Sequence, residues 1–410
     1  VDRVKNSFSV FRATAQALLC AGVAALCPTA ARADANDLAL NRLTFYDAAL
    51  PGAGTPDWRY NGGCGTMAAV SPYARCYADN TLWANLINEL GGALAPALLA
   101  PASTIGYNRV YLAYEHGISN INSVPSANNS YWHRGTEGVP GSTRGEGTER
   151  TRTRVADVLF VSRLHMRHGL PYGFELGVQG SYLHDSGLVA MGLDIKWALK
   201  EGFRRGIGYL PDIAVRGAVN TLVGNQQLYL TIVSLDAVIS KPLTVTGSLT
   251  LTPYAGLQGL MVLGDSQVID GTPTRSGYQE CTRRRTVYST DAMGNTTSSL
   301  ICDAAQNSVM QMGVENDSVN DLVFTPVRLL RLRGMGGLRI KYGLFTFTAE
   351  FIMDATAPAW MTGNCNPMGT SQPAYCVTGR PMEGSYGRDQ IRVNQDFRQY
   401  TINMGAGVTF

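Results

Sequence analysis

Charge is what this chain has least of. Asp, Glu, Lys and Arg make up 16% of its 410 residues, where an ordinary soluble domain carries about a quarter. The net charge of +3 is too small to argue for nucleic acid as a partner. Mean hydropathy is near zero at -0.04, less apolar than a helical membrane protein. Metal-ligand spacing is missing too. No two cysteines stand in a CxxC arrangement, which removes the usual zinc frameworks. Glu315, Asp317 and Asp321 lack the glycine and closing glutamate of an EF-hand calcium loop. No metal and no cofactor are expected.

Glycine is plentiful at 45 residues, and from residue 105 onward the apolar pattern repeats every second residue. Ten stretches alternate this way: 105–116, 156–166, 174–182, 189–200, 212–220, 233–239, 249–261, 330–342, 345–354 and 400–410. In 345–354, for example, Phe345, Phe347, Phe351 and Met353 alternate with Thr346, Thr348, Glu350 and Asp354. A period of two places these sets on opposite faces of a strand. Each stretch is near the ~9–11 residues of a tilted strand that crosses a bilayer. The connections sort into two kinds. Those around 117–153, 187, 224–225, 264–320 and 355–391 include all the long ones, and those around 168–171, 201–208, 241–245 and 343 are short.

The stretch from Tyr400 to Phe410 carries Tyr400, Ile402, Met404, Ala406, Val408 and Phe410 against Thr401, Asn403, Gly405, Gly407 and Thr409. This alternating aromatic strand, with the nine before it, resembles bacterial outer-membrane β-barrel proteins. The resemblance is at the level of the class and implies an all-β, antiparallel, up-and-down transmembrane barrel of about ten strands, with 12 as the alternative. It further implies that Tyr400, Val408 and Phe410 are the signal read by the barrel-assembly machinery. The chain would then sit in the bacterial outer membrane, with long loops extracellular and the N-terminus periplasmic. Because lipid offers no hydrogen-bond partners, the first strand must close onto the last.

Three regions precede or interrupt the pattern. Arg3, Lys5 and Arg12, an apolar run from Ala13 to Leu26, Pro28 and the triplet Ala31-Arg32-Ala33 read as a signal peptide over 1–33. Residues 34–104 read as a periplasmic segment holding one short helix from Asn80. Asp79 or Asn80 would cap it, Leu82, Leu86 and Leu90 with Trp83 and Ile87 would form its stripe, and Gly91-Gly92 would interrupt it. It would cap the barrel, plug it, or lie on the membrane surface. Cys64, Cys76, Cys281, Cys302, Cys365 and Cys376 form three local pairs, expected as disulfides 64–76, 281–302 and 365–376.

Inward-facing positions supply a charge ladder: Arg331, Arg333, Arg339, Lys341, Arg216 and Lys196, with Asp194, Asp236 and Glu350. It is either a polar conduction path with a bias toward anions or a lumen packed shut by ion pairs. Arg150, Arg152, Arg154, Arg283, Arg284 and Arg285, at or beyond the upper strand ends, suit the phosphates of lipopolysaccharide. Some outer-membrane barrels are lipases, acyltransferases or proteases, which need a His with a Ser or carboxylate near the rim. His116 and His184, with Ser119, Asp185 and Ser186 nearby, stand at such heights without a surrounding motif, so no catalytic residues and no enzyme are expected. The functional expectation is a narrow pore or small-solute transporter. Its alternative is a non-conducting envelope protein whose surface loops bind a partner or lipopolysaccharide.

Overall fold

The computed structural model describes residues 34, 36–46, 76–123, 131–136, 157–201, 210–225, 227–245, 248–270, 284–290, 296–302, 321–360, 393–394 and 396–410. The ten alternating stretches form ten strands: β1 Val110–Asn120, β2 Val158–Gly169, β3 Phe174–Leu183, β4 Val189–Lys200, β5 Asp212–Val223, β6 Leu228–Ser240, β7 Leu249–Ser266, β8 Val327–Tyr342, β9 Phe345–Asp354 and β10 Tyr400–Thr409. Each pairs antiparallel with its neighbour in sequence, and β10 pairs with β1 from Thr401↔Ser119 to Thr409↔Tyr111. The ring closes at ten strands, so the wall has no unpaired edge.

Closure dictates what the alternation does. Outward positions are apolar and exposed, such as Phe345, Phe347, Phe351 and Phe410, whereas Thr346, Thr348, Glu350 and Asp354 between them are buried inside. Pro253 sits where β7 already pairs with β8 but not yet with β6, whose pairing begins at Tyr254↔Ser240; there the missing N–H costs little. Gly343, at φ +58, makes the tight turn between β8 and β9, a left-handed conformation that disfavours a Cβ. The short turns gather at the end that holds Val110 and Phe410. The long connections gather at the other.

Helix α1, Asn80–Ala93, is capped by Asp79, whose carboxylate accepts from the Leu82 N–H at 3.1 Å. It runs through Gly91-Gly92 rather than breaking there. Gly91 lies against Val262, and Gly92 against Arg331 and Gln399. A side chain at either would collide with the wall, so the glycines serve close approach and not a break. Residues 35–410 are one unit. The expected boundary at 104/105 is the place where the chain leaves the lumen and enters β1. The stretch 1–33, Cys64, Cys281, Cys365, Cys376, Arg150, Arg152, Arg154, Arg283, Glu315 and Asp317 lie outside the described residues. Cys76, Arg284, Arg285 and Cys302 are described in backbone only.

Candidate functional site: the filled lumen

Residues 80–105 occupy the inside of the barrel. Helix α1 lies at the long-loop end, and an irregular strap from Leu94 to Ile105, left-handed at Leu99 (φ +42), descends to the short-turn end. The segment is therefore within the lumen. Its helix is at the end opposite Phe410, not at the short-turn mouth.

The helix satisfies its own backbone, so its side chains are free to pack. Trp83, Leu86, Ile87 and Leu90 are fully buried in one apolar cluster with Leu159, Leu230, Ile232, Leu260, Val262 and Leu329 of the upper wall. Trp83 stacks on Phe324 at 4.9 Å and donates to the Thr325 carbonyl at 3.0 Å. The far side of the helix is polar and equally covered. The Asn80 and Asn85 side-chain oxygens accept the backbone N–H groups of Thr325 and Asn394. Glu89 accepts from the Tyr131 hydroxyl, from Trp132 Nε1 at 2.7 Å and from the Asn122 N–H at 2.9 Å. Burial pushes the Glu89 carboxyl up to about 7 against these three donors, and burial followed by the neighbouring Glu89 raises the Tyr131 phenol.

The strap has no partner strand and no helix to satisfy its backbone, so the wall must supply partners. Cations cover the carbonyls. Arg163 donates to Ala93 and Ala95, and Arg216 to Ala97 at 2.7 Å and Pro96 at 3.1 Å. Arg167 donates to Leu98, Arg339 to Leu99 at 2.9 Å, and Lys196 to Pro101 and Ser103 at 3.3 and 3.0 Å. Acceptors cover the N–H groups: Glu350 for Leu99 at 3.1 Å, Ser240 for Ala102 at 3.0 Å, Glu201 for Thr104 at 2.7 Å and Glu175 for Ile105. The charges also pair with one another, as in Lys196–Glu175 at 2.8 Å and Arg216–Asp236 at 3.0 Å. Asp194 accepts from His165 at 3.1 Å and faces Arg167 at 3.7 Å.

Of the sequence-derived ladder, Arg331, Arg333, Arg339, Arg216, Lys196, Asp194, Asp236 and Glu350 are buried inside the barrel. Lys341 is only half-buried, near the short-turn end. Arg331 and Arg333 do not face an open path. Both pair with Asp354, and they reach the Asn88 and Gly92 carbonyls at 2.7 and 3.2 Å. Glu115 and His165, inward by their parity in the sequence, join the network, and so does Arg167, which is not named from sequence. The same inward parity in β2 is the signal that marks it. The other positions named from sequence fall elsewhere. Tyr400 and Phe410 are on the outer face, exposed, with Val408 half-buried beside them. Ser119 points inward and bonds Thr401 at 2.8 Å, and Ser186 caps its own turn on the Leu183 carbonyl. Asp185, at φ +53, is exposed in that turn.

No protein-family model matches the chain, and no curated protein sequence matches it. Among solved structures it is similar to Ail, the attachment invasion locus protein of Yersinia pestis, in complex with the heparin analogue sucrose octasulfate. That match has 7% identity and a TM-score of 0.21 over 74% of this chain and 100% of that one. It is similar to the KdgM porin at 8% identity and TM-score 0.24, over 73% and 99%. It is similar to a deletion mutant of the TodX monoaromatic hydrocarbon channel at 11% identity and TM-score 0.18, over 76% and 93%. Scores this low carry no argument. The closed ring of ten antiparallel strands, apolar outside and charged within, is by its own geometry the fold of bacterial outer-membrane β-barrels.

Proposed function

We propose that the protein is an outer-membrane barrel whose narrow solute path is closed at rest by its own segment 80–105. The observation that carries this reading is the manner in which the strap is held. Its backbone carbonyls are held by wall guanidinium and ammonium groups, from Arg163 to Lys196. A carbonyl is a weaker partner for such groups than a carboxylate or phosphate oxygen. An anionic solute can therefore replace the strap carbonyls at the wall cations. The bilayer sits around the outer apolar belt, the short turns face the periplasm, and the long loops face outward. In this orientation α1 seals the outer mouth and the strap fills the inner one. Lipid, lipopolysaccharide, the assembly machinery and a small solute are the partners this reading implies.

A second reading rests on α1. Its apolar seal, with Trp83, Leu86 and Leu90 wholly buried, suits a barrel that never conducts and instead displays its long loops. Planar-bilayer recording on the full chain separates the two. Discrete openings, abolished when cysteines placed at Leu98 and Ala214 are oxidised to pin the strap, support the gated path. A heat-modifiable, folded protein that stays silent with and without the strap pinned supports the second reading.

A further inference from the structure

The outer wall carries a polar cluster where lipid should meet only apolar groups. Ser162, at an outward position of β2, has its Oγ 2.6 Å from Nε2 of His184 and 3.1 Å from Nδ1 of His116. The Tyr114 hydroxyl donates to the same Oγ at 3.3 Å. The register sets His116 and Ser162 in one row across the sheet, Met404↔His116↔Ser162↔Tyr182, with Tyr114 one outward row below and His184 in the turn just past β3. The row of His116 and Ser162 lies one outward row below Phe160 and Ile402 and so inside the apolar belt. Polar and ionisable groups at membrane depth normally face a lumen or a partner. These three point outward. The nearest histidine partner expected from sequence was Ser119 or Ser186; the fold supplies Ser162 instead, 46 residues from His116 and 22 from His184.

A groove of about 390 Å³ opens on the same face and ends on Tyr114 and His116. Small residues, Ala349, Gly405 and Ala406, lie between Phe347 and that end. It is lined almost wholly by apolar atoms, and the phase in contact with it is lipid. Ser162 and His184 do not line the groove and meet it through Tyr114 and His116; the occupant that fits is an acyl chain whose ester lies past its end, beside Ser162.

We propose that this is a lipid-ester hydrolase site, with Ser162 as nucleophile and His184 as general base. Ser162 Oγ bonds to the acyl carbonyl carbon as its proton passes to His184 Nε2. The ester C–O bond then breaks, and the leaving alkoxide takes that proton. Water attacks the acyl-serine, gives a proton to His184, and the Oγ–C bond breaks. The fatty acid leaves and Oγ recovers its hydrogen. Tyr114 is the donor nearest to the developing oxyanion, and His116 fixes the Oγ rotamer from the opposite side. The site does not depend on conduction through the lumen.

The test uses the full chain refolded in mixed micelles of detergent and phosphatidylethanolamine, checked by heat-modifiable migration. A fluorophosphonate reagent should label Ser162, located by peptide mass, and free fatty acid should accumulate. Ser162→Ala should abolish both. His184→Gln should lower the release rate about 100-fold or more, and Ser119→Ala, inside the lumen, should leave it unchanged. If Ser162→Ala fails to fold, the labelled position in the unaltered chain decides the same point. Folded protein that takes up neither label nor releases fatty acid, or a Ser162→Ala chain that hydrolyses at the original rate, overturns the proposal. So does lipid retained in the groove without turnover.

Discussion

The two halves of the lumen are filled by the same stretch of chain in opposite ways. At the long-loop end a helix is surrounded by Leu159, Leu230, Val262 and Leu329. At the short-turn end an irregular strap is surrounded by Arg167, Lys196, Arg216 and Arg339. The difference follows from where the backbone hydrogen bonds go. A helix pairs most of its N–H and C=O groups internally and leaves only its last carbonyls to the wall, here Asn88, Glu89, Gly92 and Ala93 to Arg331, Gln399, Arg333 and Arg163. An irregular segment away from a sheet leaves such groups open, and a buried unpaired one costs roughly 1–3 kcal/mol. The charged ladder in the lower wall is thus a set of hydrogen-bond donors and acceptors matched to a naked backbone. Its charges are balanced largely among themselves.

Removing one donor from the lower half should hurt most. Arg216→Leu leaves the Ala97 carbonyl unpaired, leaves Pro96 with Gln258 Nε2 as its remaining donor, and leaves Asp236 buried without its cation. A loss of about 3–5 kcal/mol is expected in a urea titration of the refolded barrel. Limited proteolysis should then cut within 94–104 while α1 stays protected. Cleavage in α1 first would break the division into two halves.

In the upper half, Leu86→Ala removes a wholly buried side chain from the apolar seal and should cost about 3 kcal/mol, since nothing polar is orphaned and the term is cavity and transfer alone. Hydrogen exchange should rise in α1 and not in strands facing the strap.

The upper half should also respond to pH. The Glu89 carboxyl is raised in the folded chain to about 7 from 4.5. A carboxyl raised on folding binds its proton more tightly when folded. Its stabilising contribution is therefore complete below about 4.5 and lost as pH rises through 7. The unfolding midpoint should fall between pH 5 and pH 8 by the equivalent of roughly 3 kcal/mol at most. Glu89→Gln should flatten that dependence. A midpoint unchanged over this range in the unaltered chain would show that the three donors, not burial, govern the group.

The smallest effect sharpens the account of the strap. Ser240→Ala removes only the acceptor of the Ala102 N–H and should cost ~1 kcal/mol. Ser240→Thr, which keeps the hydroxyl, should restore most of it.

Much of this was written in the sequence, for a physical reason. A closed barrel in lipid needs a period of two in every strand, because one face meets hydrocarbon and the other does not. That pattern located all ten strands, put Phe347 outside and Arg216 inside, and required β10 to meet β1. The helix from Asn80 was legible from its cap and stripe. What the wall charges touch was not legible, because parity gives the face of a residue and says nothing of what fills the space beyond it. Leu94 to Ile105 carries no period and no motif, and only the closed ring made it the partner of five cationic side chains. The same holds outside. His116 and Ser162 lie on β1 and β2 and His184 in the turn after β3, and their meeting depends on the register between these strands, which neither spacing nor composition encodes. The sequence by itself determined which residues face lipid and which face inward; the tertiary structure alone decided which of the inward charges hold the strap, and which outward polar groups stand together.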